Sequence, residues 1–106
     1  MSMFCYQCEQ TAKGLGCTVR GVCGKSPETA TLMDLLVHGV KGIAQYVHRM
    51  GRFDVRDHAA DVFICEALFT TITNVNFDVE RLAGWVRKAA ETRDRTKALY
   101  EDTCRK

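Results

Sequence analysis

The sequence predicts an all-α chain: an antiparallel three-helix bundle preceded by an amino-terminal cysteine- and glycine-rich loop. Three observations predict it. A single proline stands among 106 residues, which favours uninterrupted helices over turn-rich β structure. Three stretches beyond Lys25 repeat apolar residues at helical spacing. Cys5, Cys8, Cys17 and Cys23, with Gly14, Gly16, Gly21 and Gly24, crowd the segment before Ser26, the composition of a loop. The length suits one domain, 1–106, because a second core would not fit so short a chain. The division near Lys25 separates a loop, 1–25, from a bundle, 26–106.

The first helix begins sharply. Ser26 caps it, Pro27 takes the first helical position, and Glu28 places negative charge at the positive helix end. Leu32, Leu36, Val40, Ile43 and Val47 follow at steps of four, four, three and four, and Met33, Val37 and Ala44 widen the stripe. Gly51 is the natural stop. Gly39 and Gly42 weaken a helix interior, so they mark close backbone approach. The second helix runs roughly from Asp57 to Thr73, with Ala60, Phe63, Ile64, Ala67, Leu68 and Ile72 as its apolar side. Its β-branched end, Thr70-Thr71-Ile72-Thr73, is a poor helix segment. Asn74-Val75-Asn76 connects it to a third helix capped by Asp78, with Phe77 and Leu82 at the staple positions. Leu82, Trp85, Val86, Ala89 and Ala90 line one face of that helix. Residues 91–97 are mostly charged and read as a solvated extension, with Glu91 and Arg95 four apart.

Composition excludes several classes. The net charge of +2, without a basic block, gives no reason to expect a nucleic-acid partner. No apolar run approaches the roughly 18–20 residues of a membrane span. Met1 to Cys5 lacks a basic segment followed by an apolar one, so no secretory signal is expected and the cytoplasm is the expected location.

Six cysteines are the abnormal number. Three disulfides would suit a small secreted protein, but clustered thiols in a cytoplasmic chain more often hold metal. The spacing is Cys-x2-Cys-x8-Cys-x5-Cys. Two thiolates separated by two residues reach one metal centre within a single backbone turn, and two more from a glycine-rich loop close around it. Zinc sites usually pair two short knuckles, whereas here the second pair is spread over five intervening residues. A cubane needs thiolates around a larger object and backbone N–H groups aimed at sulfur, which the glycines permit. Phe4, Tyr6, Leu15, Val19 and Val22 supply an apolar screen. An iron–sulfur cluster fits the spacing best; zinc, disulfides and inert thiols stay open.

The run Met3-Phe4-Cys5-Tyr6-Gln7-Cys8-Glu9-Gln10-Thr11-Ala12-Lys13-Gly14 resembles the amino terminus of the hybrid-cluster proteins, also called prismane proteins or hydroxylamine reductases. Gly16-Cys17-Thr18, Gly21-Val22-Cys23-Gly24-Lys25, Asp34-Leu35-Leu36 and the stretch from Leu68 to Asn76 continue the resemblance over nearly the whole chain. The resemblance implies a helical domain with Cys5, Cys8, Cys17 and Cys23 as ligands of a [4Fe-4S] cluster near the surface; a related form with wider spacing carries [2Fe-2S]. Family members are several times longer, and their catalytic hybrid cluster takes ligands from later domains. Hydroxylamine reductase activity is therefore not expected of this chain alone. A cubane with four cysteine ligands has no open site and normally moves one electron. Electron transfer is the expected function. The alternatives are a structural or binding module held by zinc or a cluster, and an oxygen or nitric-oxide sensor. Thiolates and an oxidised cluster together bring the chain close to neutrality, which favours association. A homodimer or a separately encoded redox protein is the expected partner.

The other candidates have plainer readings. His38, His48 and His58 are spaced by ten, so the first two point to different helix faces and share no metal. Cys65 beside Ile64 reads as a small buried hydrophobe, and Cys104 as an exposed thiol near the terminus. Trp85 reads as core. Glu9 and Lys13, and the basic set Arg87, Lys88, Arg93 and Arg95, read as solvated, although the latter is also a candidate docking patch.

Overall fold

The computed structural model describes residues 3–8, 11–72 and 78–105. Among them lie a short 3-10 turn, Ala12–Gly14, and three helices: α1, Pro27–Gly51; α2, His58–Ile72; and α3, Val79–Cys104. The expected connection over residues 74–76, the Phe77 staple and Glu9 fall outside the described residues. No described helix is long and apolar enough to cross a membrane.

The helix starts follow the local chemistry. The Ser26 hydroxyl accepts the Thr29 N–H at 3.1 Å, with Pro27 opening α1. The Asp78 carboxylate accepts the Glu80 and Arg81 N–H groups at 2.9 and 3.5 Å. Asp57, just before α2, accepts the Ala60 N–H at 3.1 Å. These caps satisfy N–H groups that have no partner within their own helix. The β-branched end of α2 stays helical to Ile72. There the Thr70 and Thr71 hydroxyls donate back to the carbonyls of Glu66 and Leu68 at 3.0 and 2.8 Å.

The helices run up, down and up. Gly39 lies against Ala89, Gly42 faces Arg93, and Tyr46 meets Tyr100 with ring centroids 5.7 Å apart, so α1 and α3 are parallel. Asp57 meets Arg95 and Thr96, while Phe63 meets Trp85, so α2 runs antiparallel to α3. Helix α1 packs against both others, and α2 and α3 touch only lightly. The core gathers Leu36, Val40 and Ile43 of α1, Ala60, Phe63 and Ala67 of α2, and Ala89 of α3, with Val47, Ile64, Trp85 and Val86 packed at its edge. A Cβ at Gly39 would stand 3.3 Å from the Ala89 Cβ. That is the close helix approach its position in the stripe implies.

Three expectations are corrected. Residues 91–97 are not an appendage but part of a 26-residue α3. Thr96 among them is fully buried, and Arg95 pairs with Asp57 at 3.1 Å rather than with Glu91. Leu68 and Ile72 are 40% and 58% exposed, and Ala90 is exposed as well. The α2 pattern is apolar nearly all round, so periodicity alone could not single out its inner face. Cys65 is exposed, because its apolar neighbour Ile64 takes the inward position.

Candidate metal centre

The loop before α1 is organised by one antiparallel pair. The Cys5 N–H donates to the Cys17 carbonyl and the Cys17 N–H donates to the Cys5 carbonyl, both at 2.9 Å. Such a hydrogen-bonded pair holds its two side chains on the same face of the ribbon, with Cα atoms about 5.5 Å apart. Met3 extends the pairing by donating to the Thr18 carbonyl at 3.2 Å. Between the partners the chain turns through Lys13 and Gly14, both at positive φ, and Gly16 at φ 137°. A Cβ at Gly16 would displace the ring of the exposed Phe4, and the positive φ itself favours glycine. A second turn closes around Cys23: Gly24 donates to the Gly21 carbonyl at 2.9 Å, and Gly21 donates to the Lys25 carbonyl at 3.0 Å.

These two turns bring Cys5, Cys8, Cys17 and Cys23 around a single cavity of about 110 Å³, whose wall also includes Thr11, Lys25 and, from the end of α2, Thr71 and Ile72. Cys5 and Cys17 are buried, Cys23 is half-buried and Cys8 is exposed. All six cysteines are free thiols. Among the described residues, no three His, Cys, Asp or Glu side chains gather tightly enough to hold a single metal ion.

The polar surroundings of the buried sulfurs are specific. The Ala12 N–H donates to the Cys17 Sγ at 3.4 Å. The Thr11 hydroxyl bridges the Cys5 carbonyl at 2.9 Å and the Cys17 Sγ at 3.5 Å. The Ala12 N–H, then the Thr11 hydroxyl and the Val22 N–H, hold the Cys17 thiol below its ordinary value. Burial pushes the Cys5 thiol up, against the Gln7 N–H and the Lys25 ammonium, which favour its thiolate. Lys25 is 4% exposed and donates from Nζ to the Gln7 Oε1 at 2.7 Å and to the Thr71 carbonyl at 3.0 Å. Gln7 in turn donates to the Ala30 carbonyl at 3.1 Å and to Asp34 at 2.7 Å. The loop is thereby tied to both α1 and α2.

The structure places the other candidates elsewhere. His38, His48 and His58 are exposed, as are Cys65, Cys104 and Lys13. Three of the basic set are engaged on the bundle: Lys88 lies over the Phe63 and Trp85 rings, Arg93 pairs with Asp94, and Arg95 with Asp57; Arg87 is exposed. The expected apolar screen is corrected. Phe4, Tyr6, Leu15, Val19 and Val22 are all at least 58% exposed, so they rim the loop rather than cover it. The sequence marks Lys25 as a boundary and as the last residue of a resembling run, but assigns it no role at the site. Nothing in its flanks signals burial; the hint is a lysine set between a glycine and a helix cap, where the chain must turn inward.

Comparison with known proteins adds an independent finding. The model of the Prismane/CO dehydrogenase family matches residues 3–104. The chain is 50% identical over 105 residues to a hydroxylamine reductase of Geobacter sulfurreducens, covering 99% of this chain and 19% of that protein. It is 54% identical over 96 residues to a hydroxylamine reductase of Syntrophobacter fumaroxidans, covering 91% of this chain and 18% of that protein. A hydroxylamine reductase of Methanocella arvoryzae is 53% identical over 95 residues, covering 90% and 18% respectively. The chain thus spans about a fifth of the length of these relatives.

Proposed function

The chain belongs to the Prismane/CO dehydrogenase family, and from that premise we propose that it binds one [4Fe-4S] cluster through Cys5, Cys8, Cys17 and Cys23 and uses it for one-electron transfer. The carrying observation is the common cavity, which all four of these thiols line. The donor set is chemically suited, because thiolates are the usual ligands of iron–sulfur clusters. A tetrahedral zinc would need four sulfurs at about 2.3 Å from one point. Four cysteines distributed around one cavity suit a multinuclear group that takes one thiolate per iron. When bound, such a cluster accepts and returns one electron without opening a coordination site.

The chain's own residues then act on it in defined ways. Cys5 and Cys17, fixed by their paired backbones, would supply two of the four thiolate ligands. The Ala12 N–H, which donates to the Cys17 sulfur, would stabilise charge there. Cys8 stands at the exposed side and would be the ligand nearest a docked, separately encoded redox protein. Hydroxylamine reduction, the activity in the relatives' names, enters only as the class of reaction that such a carrier would feed.

The test is iron, acid-labile sulfide and zinc per chain, on protein purified without oxygen, followed by dithionite reduction and reoxidation. About four irons and four sulfides, with reversible bleaching, is the expected result. Two of each would replace the cubane by a [2Fe-2S] cluster and keep electron transfer. One zinc without sulfide would overturn the reading and leave a structural module.

A further inference from the structure

Lys25 is a buried cation whose two hydrogen-bond acceptors are neutral, the Gln7 amide oxygen and the Thr71 main-chain carbonyl. Among the described residues it forms no ion pair. A buried ammonium without a counter-charge is expensive. Its placement reduces that cost only in part, because Thr71 lies in the last turn of α2, where the helix dipole favours a cation. The same side chain lines the cavity shared by the four cysteines. Four thiolates around an iron–sulfur core leave that cavity with net negative charge.

We propose that Lys25 is the built-in counter-charge of the cysteine cavity, a fixed cation that stabilises the added electron and sets the reduction potential of the bound cluster. This rests on the cluster reading above. The geometry supplies the means. The ammonium is held from two directions, by the loop at Gln7 and by α2 at Thr71, so it cannot swing to solvent. Gln7 is itself fixed by Ala30 and Asp34 of α1. The charge is therefore oriented before any electron arrives, and little reorganisation is needed on reduction. The low dielectric of a buried site makes the interaction stronger than at the surface. The electron comes from a low-potential one-electron donor, for which dithionite serves in the test. The donor is oxidised by one electron and the cluster is reduced by one.

The experiment is redox titration of the cluster in the intact chain and in Lys25→Met, Lys25→Gln and Lys25→Arg, with iron content and helical circular dichroism measured on each. Arginine keeps the charge; glutamine keeps a hydrogen-bond donor without it. The expected result is a shift of at least tenfold against reduction in Lys25→Met and Lys25→Gln, which is 59 mV for one electron, with Lys25→Arg close to the parent. Loss of iron from the two neutral variants alone, with helicity kept, also supports the assignment. A parent-like potential in Lys25→Gln would overturn it and leave a hydrogen-bonding role. Loss of iron from all three variants would overturn it in favour of a packing role. Asp34→Asn supplies a check that leaves Lys25 in place. Removing this exposed negative charge should shift the equilibrium toward reduction, less strongly and less so at high salt; a shift the other way would overturn the electrostatic account. A parent chain that binds no iron would instead overturn the function proposed above, and this inference with it.

Discussion

A methyl group at position 16 meets both a strained backbone and an aromatic ring. Gly16 sits at φ 137°, and its missing Cβ would fall on the ring of Phe4. Gly16→Ala therefore combines backbone strain of roughly 1–3 kcal/mol with a steric clash. It should lose most of its bound iron while the helices, which do not depend on this turn, keep their circular dichroism. Adding Phe4→Ala should recover part of the iron, because it removes the clash but not the strain; full recovery would show that the φ value is unimportant. Individual cysteines give a sharper contrast. Cys23→Ser should abolish stoichiometric cluster, whereas Cys65→Ser, on the outer face of α2, should leave iron content unchanged. That the four loop cysteines come together around one cavity was legible, because their spacing and glycine-rich context bring them close. Cys65 was misread because a neighbouring isoleucine does not say which of two adjacent residues turns inward. Lys25 was missed because burial of a charge depends on acceptors 18 and 46 residues away in the chain, which local sequence does not reveal.

Asp57 joins two helices through one carboxylate. It caps α2 at Ala60, accepts from the buried Thr96 hydroxyl at 3.2 Å, and pairs with Arg95. Burial pushes its carboxyl up, but the Ala60 N–H, the Arg95 guanidinium and the Thr96 hydroxyl outweigh it and hold the group below the usual carboxylate range. A depressed folded value means that the unfolded chain binds the proton more readily. The stabilisation is therefore present above the unfolded value of about 3.9 and is lost as the pH falls through the folded one. Asp57→Ala should cost about 2–3 kcal/mol at neutral pH, from the lost cap and an orphaned Thr96 hydroxyl. Urea unfolding at neutral and strongly acidic pH checks this; the gap between parent and variant should narrow in acid. At this scale the starts of α1 and α3 were legible because Ser26 and Asp78 cap locally; the start of α2 was placed only roughly, and the cap at Asp57 emerged from the structure. The extent of α3 was not. The run from Glu91 to Lys97 is polar enough to read as solvated, and only its contact with Asp57, far back in the chain, shows that Thr96 is core.

The whole molecule has two centres of packing. The bundle core, around Leu36, Val40, Ile43 and Phe63, holds no cysteine. A smaller cluster of Cys5, Cys17 and Ala30, with Met3 and Ala12 against it, packs the loop onto the start of α1. The bundle follows from helical periodicity and was legible in outline, whereas the path of the loop is set by backbone pairing and positive-φ turns that periodicity does not describe. Its extents of 50 × 27 × 21 Å and radius of gyration of 15.6 Å make the molecule elongated, against about 13 Å for a typical domain of 100 residues. An elongated bundle leaves much surface uncovered, and Tyr6, Val22 and Ile72 stand exposed at the cysteine end. The loop cluster is small and four of its five members are cysteine or alanine, so burial alone stabilises it little; on the proposed cluster reading, thiolate–metal bonds would supply much of its order. The bundle has its own apolar core and does not need them. Removing iron with a chelator under reducing, oxygen-free conditions should therefore leave the helical signal nearly intact. The amides of Cys5 and Cys17, which donate to each other's carbonyls, should lose their protection from hydrogen exchange. Amides in the middle of α1 should keep theirs, because the core that covers them is unchanged. Coupled loss of protection at both places would mean that the loop and the bundle fold as one unit, with the metal centre holding the entire chain rather than its first quarter.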